Sequence, residues 1–65
     1  MNELRIDMPV GWMYYKTSRE NAADAFDEFV SDMESVGVNL DNVKIVLCIL
    51  RDEDGNDIDR YYSQY

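Results

Sequence analysis

The sequence contains no histidine, and Cys48 is its single cysteine. Without an imidazole, the chain lacks the side chain that most often serves as a general acid or base near neutral pH. Cys48 has no histidine to activate it and lies among apolar residues, where burial raises the pKa of a thiol and makes it inert. We therefore interpret Cys48 as a packing residue and expect no enzyme activity and no catalytic residue.

The lone cysteine also excludes an internal disulfide framework, which fits a reducing compartment such as the cytosol. Residues 1–7 lack the charged segment and the following apolar core of a secretory signal peptide. The longest uninterrupted apolar run is Ile45–Leu50, which is far too short to cross a membrane. We expect a cytoplasmic protein that makes no membrane contact.

Glycine is scarce, and none of the 3 glycines belongs to a G-x-G-x-x-G or Walker A sequence. We predict no cofactor, while a flat ligand such as a flavin stacked on Trp12 stays an open alternative. The acidic segment Asp52–Asp59 departs from a calcium loop, because its glycine comes two places early and Ser63 holds the twelfth position, where the loop requires glutamate. We interpret this segment as a solvated hairpin turn without a specific metal site, and weak divalent binding stays open.

Acidic residues are abundant. The chain carries 14 Asp and Glu against 6 Lys and Arg, a net charge of −8 at pH 7. Its apolar content of 46% is nevertheless too high for a disordered chain, so we predict one folded domain over residues 1–65. The negative charge repels nucleic acid and anionic membranes and attracts basic partners. We expect a basic protein as the partner and no direct binding to nucleic acid.

The stretch Thr17–Gly37 predicts one long amphipathic helix. Thr17 and Glu20 fit a capping box at its start, and Gly37 suits the left-handed position just after its end. Apolar residues recur at helical spacing along one face. They are Ala22, Phe26, Phe29, Val30, Met33 and Val36.

The opposite face of this helix is acidic, with Arg19 as the one cation in the stretch. Like charges four residues apart each cost about 0.2–0.5 kcal/mol, so this clustering favours a functional hypothesis. The alternative is a face that is charged only for solubility. The carboxylates are Glu20, Asp24, Asp27, Glu28, Asp32 and Glu34.

Three strands are predicted around the helix. The first alternates at Leu4, Ile6 and Met8, is either an edge strand or bent at Pro9 and Gly11, and resumes pairing through Trp12–Tyr15. The second and strongest covers residues 43–51, the acidic turn at residues 52–56 follows, and residues 58–65 form the last strand. We therefore predict a small α+β fold of order β-α-β-β, with one helix on a three-stranded, mostly antiparallel sheet whose last strand is central.

The strand over residues 43–51 is apolar on both faces, while one helix can cover only one of them. The second face needs another cover, which the segment Pro9–Tyr15, a second copy of the chain or a binding partner could supply. We predict self-association through Val46, Cys48 and Leu50.

Acidic residues of the helix combine with those of the hairpin and with aromatic residues, which usually anchor protein interfaces. The predicted hairpin contacts are Asp52, Glu53, Asp54, Asp57 and Asp59, and the aromatic ones are Trp12, Tyr61, Tyr62 and Tyr65. Carboxylates spaced along a rigid helix can pair with the Arg and Lys side chains that normally hold phosphates. We hypothesise a non-enzymatic protein-binding module that mimics nucleic acid.

In its size, its charge and its lack of recognisable motifs, the chain resembles the tiny acidic inhibitors that phages make against host nucleases and CRISPR effectors. The resemblance implies an anti-CRISPR-like inhibitor of a basic nucleic-acid-binding protein. The alternative is a homo-oligomeric domain that is structural or binds a small ligand. Small βαββ proteins that assemble into flavin-storing shells share the predicted topology.

Overall fold

A computed structural model describes residues 1–9, 11–38 and 47–62 of the chain. These residues form one helix packed on a four-stranded antiparallel sheet, which confirms the predicted α+β class. The elements in chain order are β1 (Asn2–Met8), β2 (Gly11–Thr17), α1 (Ala22–Ser35), β3 (Leu47–Arg51) and β4 (Asp57–Tyr62). The strand order is β2-β1-β3-β4, so β4 lies at an edge and the prediction of a central last strand is wrong.

The sheet has four strands because residues 2–17 form a hairpin and not one bent strand. Pro9 cannot donate to a strand ladder, and Gly11 has a φ of 146°, which side chains rarely adopt. The chain therefore reverses here, and Leu4 lies opposite Tyr15 while Ile6 lies opposite Met13. The order is thus β-β-α-β-β, which also removes the topological likeness to βαββ shell proteins.

The predicted turn between the last two strands is confirmed. The Asp52 amide donates to the Asn56 carbonyl at 3.0 Å, and Gly55 takes a φ of 86°. Within the described residues, the two strands cover Leu47–Arg51 and Asp57–Tyr62, so the last strand begins one residue earlier than predicted. Residues 43–46 and 63–65 lie outside the described residues.

The helix begins later than the sequence pattern predicts. Asn21 is the N-cap, because its side-chain oxygen accepts from the amide of Asp24 at 2.8 Å, while Thr17 ends β2 and is buried. The predicted end is confirmed: Gly37 donates to the Glu34 carbonyl at 3.1 Å, and Val38 donates to the Met33 carbonyl at 2.9 Å. This pair of bonds is the Schellman arrangement, with Gly37 at a φ of 86°.

The core lies between the helix and one side of the sheet. Its members are buried and apolar: Leu4, Ile6, Ala22, Ala25, Phe26, Phe29, Cys48 and Leu50. Cys48 and Leu50 have no exposed surface, so the helix covers the side of β3 that the sequence interpretation assigned to self-association. Both sides of this strand are apolar, and the sequence pattern alone could not choose between them. Val46, the third residue of that prediction, lies outside the described residues.

Candidate protein-binding surfaces

The acidic helix surface consists of six carboxylates, and part of it is fixed against β2. Asp24, Glu28 and Asp32 follow one another at four-residue spacing, so they form a row with a rise of about 6 Å between neighbours. Asp24 belongs to the start of the helix, where the Asn21 amide nitrogen donates to its carboxylate at 2.9 Å. The whole surface comprises Glu20, Asp24, Asp27, Glu28, Asp32 and Glu34.

Glu28 is the most strongly held carboxylate of this row. It accepts from the Thr17 hydroxyl at 2.8 Å, from the Tyr15 hydroxyl at 3.2 Å and from Arg19 Nε at 2.9 Å. These bonds stabilise the charged form, so the Thr17 hydroxyl above all, followed by Arg19, lowers the pKa of Glu28. Glu28 therefore stays ionised and oriented well below neutral pH.

Asp32 is held by the same strand. The Tyr15 hydroxyl donates to its carboxylate, while the Tyr15 ring meets Phe29 edge-on with centroids 5.5 Å apart. Burial of the phenol, together with its bonds to Asp32 and the nearby Glu28, raises the pKa of Tyr15 well above its ordinary value. Tyr15 therefore stays a neutral donor, and it joins the acidic row to the core.

The other three carboxylates of the acidic helix surface have no such role. Glu20, Asp27 and Glu34 are exposed, and among the described residues their side chains make no hydrogen bond or ion pair. Their charges are therefore available to a partner without the loss of an internal contact.

Most acids of the hairpin are also engaged within the molecule. The Asp52 carboxylate accepts from the amides of Asp54 at 2.9 Å and Asn56 at 3.0 Å, and these backbone bonds lower the pKa of Asp52. Glu53 pairs with the amino group of Met1, which lowers the pKa of Glu53. Asp54 is exposed, and its carboxylate has no partner among the described residues.

The two remaining acids of the predicted hairpin set lie on β4. Asp57 pairs with Arg51 at 3.0 Å and with Arg60 at 3.1 Å. Asp59 accepts from the Ala22 amide at 2.6 Å and so joins β4 to the first turn of the helix. The start of the helix and the base of the acidic hairpin therefore meet at one end of the molecule.

The predicted aromatic anchors do not lie beside the acids. Tyr61 is half-buried and packs against Phe26 with ring centroids 5.3 Å apart, so it belongs to the core. Trp12 and Tyr62 are 61% and 64% exposed and lie on the side of the sheet away from the helix. Tyr65 lies outside the described residues. The exposed aromatic residues Trp12 and Tyr62 therefore lie on the side of the sheet opposite the acidic helix surface.

This second side, the outer sheet face, contains residues that the sequence interpretation missed. Four of the six Lys and Arg residues lie there, and alternation along each strand could have found them, because β1 and β2 place every second residue away from the core. Its members are Glu3, Arg5, Asp7, Trp12, Tyr14, Lys16, Leu47, Ile49, Arg51, Asp57, Arg60 and Tyr62.

Charges on the outer sheet face are paired. Arg5 contacts Asp7 at 2.9 Å and also stacks over Trp12, 5.3 Å from the ring centroid. Lys16 lies 3.7 Å from Glu3. Together with the contacts of Asp57, these pairs give every cation of the face a carboxylate partner.

The part of the chain that the structure describes contains neither a candidate metal site nor a candidate membrane-spanning helix. No group of three or more His, Cys, Asp or Glu side chains there is placed to hold a metal ion. No helix in the described ranges is long and apolar enough to cross a membrane.

Comparison of the chain with protein-family models, with curated proteins and with solved structures gives no match. The two surfaces therefore have to be judged on their own geometry and charge.

Proposed function

We propose that this chain is a non-enzymatic protein-binding module that mimics nucleic acid and blocks a basic nucleic-acid-binding protein, such as a nuclease or a CRISPR effector. The observation that carries the proposal is the acidic helix surface. Its row of Asp24, Glu28 and Asp32 is held in place by Asn21 and by side chains at the end of β2. Asp27 and Glu34 lie beside this row, exposed and unpaired among the described residues.

The fixed row lowers the cost of binding. Flexible carboxylates would lose side-chain freedom when they pair with a basic groove, whereas Glu28 and Asp32 are already oriented. An ionised carboxylate has about four acceptor positions, so these residues keep capacity for Arg or Lys of a partner. The charge of Asp32 is therefore both preorganised and exposed, whereas Glu28 is 26% exposed and already paired with Arg19.

The spacing of the row also suits a phosphate-binding groove. Successive carboxylates rise by about 6 Å, whereas charges along one strand of DNA rise by about 3.4 Å. Both series of charges are regular and closely spaced, so Arg and Lys side chains arranged for a nucleic-acid strand can form charge-assisted bonds with the row. Asp54 in the hairpin adds an exposed charge beyond the helix start.

Two matched double variants test this proposal. Asp27→Asn with Glu34→Gln removes two charges from the acidic helix surface, and Glu3→Gln with Asp7→Asn removes two from the outer sheet face. Both pairs change the net charge equally. Neither touches the cap at Asn21 or the bonds of Glu28, so circular dichroism should show both variants folded.

Affinity capture from the native host at low salt, with wild type and both variants in parallel, identifies the partner. Fluorescence anisotropy then measures whether the chain displaces labelled DNA from it. Because a bond to a charged group contributes about 1.5 kcal/mol or more, we expect the helix variant to bind at least about tenfold more weakly. The sheet variant should keep its affinity, and binding should weaken as salt rises. Equal affinity of the helix variant and wild type would contradict the proposal.

A further inference from the structure

The outer sheet face combines exposed aromatic side chains with paired charges, and no helix or strand in the described ranges packs on it. Trp12, Tyr14 and Tyr62 are 61%, 47% and 64% exposed. Leu47, which is half-buried, and Ile49, which is only 8% exposed, lie between them on β3 and form the floor of this face. Exposed aromatic groups around an apolar centre are typical of a protein interface.

The charge of this face selects its occupant. Arg5, Lys16, Arg51 and Arg60 stand against the three carboxylates of Glu3, Asp7 and Asp57, so the face is nearly neutral in a chain of net charge −8. Two copies that meet through any acidic surface repel each other. Two copies that meet through the outer sheet face bring neutral surfaces together and leave both acidic helices on the outside.

We propose that the outer sheet face binds a second copy of the chain, with the two sheets packed face to face about a two-fold axis. Such an interface is self-complementary, because each patch meets its own copy. Trp12 and Tyr14 from β2 and Tyr62 from β4 interdigitate with their symmetry mates, as side chains do between packed sheets. The proposal is independent of the partner of the acidic helix surface.

Single-stranded nucleic acid is the other occupant that aromatic groups and arginines on a sheet suggest. A strand of nucleic acid needs cations that are free to contact phosphates. Each cation of this face instead has a carboxylate within 4 Å, such as Asp7 at Arg5 and Glu3 at Lys16. Phosphates would have to displace these partners from a chain that repels them overall, so the charges favour a second copy.

The size of the face sets the strength of the dimer. Four strands spaced about 4.8 Å apart and five residues long span roughly 19 by 17 Å. Each such face has a planar area of roughly 320 Å², so a pair covers roughly 650 Å², which is below the minimum of about 1,200 Å² that stable specific interfaces bury. We therefore expect a weak dimer that forms and dissociates with protein concentration.

The test measures molecular mass and Trp12 fluorescence over one series of protein concentrations. The series extends to about 1 mM, which is a dissociation constant typical of weak association. Sedimentation equilibrium should show the mass rise from 7.6 kDa toward twice that value. Trp12 is the one tryptophan of the chain, so its emission should shift to shorter wavelength over the same range as it leaves water. A monomer at every concentration, or a mass increase without a change in Trp12 emission, would overturn the proposal.

Adding a positive charge at the proposed interface tests whether the dimer forms through this face and not through another part of the surface. Tyr62→Lys and, separately, Tyr14→Lys place like charges near the two-fold axis, and each should raise the dimer dissociation constant at least tenfold. Ser31→Lys adds the same charge on the exposed side of the helix and should leave dimerisation no weaker. An equal loss in the Ser31 variant, or none in both tyrosine variants, would overturn the proposal.

Salt distinguishes this interface from binding at the acidic helix surface. Added salt screens the repulsion between two copies of charge −8, so dimerisation should strengthen while binding of a basic partner weakens. Dimerisation that weakens with salt would contradict packing through a neutral face. A labelled single-stranded oligonucleotide serves as the competing occupant, and its binding with loss of the dimer would also overturn the proposal.

Discussion

The carboxylates on the two sides of the sheet have different kinds of partner. On the helix side, Glu28 and Asp32 are held largely by neutral hydroxyl groups of β2, with Arg19 as the cation nearest to them. On the outer sheet face, every carboxylate has a cation beside it. The shortage of cations on the helix is thus the counterpart of their concentration on the other side of the sheet.

This contrast explains the row of like charges on the helix. In the sequence alone, Asp24, Glu28 and Asp32 are like charges at four-residue spacing, and their mutual repulsion has no structural explanation. In the fold, Asn21 donates to Asp24, Thr17 donates to Glu28, and Tyr15 donates to both Glu28 and Asp32. The bonds offset a repulsion of about 0.2–0.5 kcal/mol for each pair. Part of the row therefore attaches the helix to the edge strand in addition to facing solvent.

The largest expected effect tests whether the helix side alone holds the molecule together. Phe29 is buried and contacts both Tyr15 and Phe26, so Phe29→Ala should lower the free energy of unfolding by about 3–5 kcal/mol. A chain of this length has a total of roughly 3–10 kcal/mol, so the variant should be largely unfolded. Trp12→Ala on the outer sheet face should cost about 1 kcal/mol at most. Urea denaturation followed by circular dichroism measures the free energy of unfolding of both variants. Similar losses in the two variants would contradict the view that the helix side alone stabilises the fold.

A smaller effect tests the bond that joins β4 to the helix. Asp59→Ala removes the acceptor of the Ala22 amide in the first helical turn, and such a group contributes about 1 kcal/mol. Asp54→Ala, which alters an exposed acid without a side-chain partner among the described residues, should change stability by less than about 0.5 kcal/mol. Thermal and urea unfolding of the two variants separate a structural carboxylate from a solvated one, and equal stabilities would mean that the bond to Ala22 contributes nothing.

The smallest effect concerns pH. The pKa of Glu28 is lower in the folded state than its ordinary value of 4.5, so the unfolded chain binds the proton more readily. The stability that Glu28 contributes is therefore complete above about pH 4.5 and is lost as the pH falls through the folded pKa. In Glu28→Gln, the difference from wild type should be greatest near neutral pH and should shrink in acid. A slope of unfolding free energy against pH in Glu28→Gln that stays parallel to that of wild type would contradict the assignment.

Local signals predicted the turns and the end of the helix. Gly37 and Gly55 both adopt positive φ where the sequence places them, because no other residue type takes that conformation at so little cost. The start of the helix is ambiguous for a physical reason. Thr17 with Glu20 and Asn21 with Asp24 are two overlapping cap patterns, and the pairing of Thr17 with Asn2 in the sheet decides for the second.

The sequence pattern could not predict which residues from distant parts of the chain pack together. Both sides of β3 are apolar, so only the packed structure determines that Cys48 and Leu50 lie under the helix and that Ile49 faces outward. Cys48 is accordingly deeply buried, and this burial raises the pKa of its thiol to about 12, which agrees with the predicted packing role. Alternation along a strand requires Tyr61 and Tyr62 to face opposite sides of the sheet, but it does not show which of the two lies under the helix.

The bond from Asp59 to Ala22 also has a consequence for synthesis. The two residues are 37 positions apart, and the helix is made long before β4 leaves the ribosome. Until then the first turn lacks one of its acceptors, and β1 lacks β3 as its second neighbour, so Leu4 and Ile6 are only partly covered. The growing chain therefore exposes apolar surface to proteases and chaperones until its last strands arrive. The described fold cannot be complete before β4 has been made.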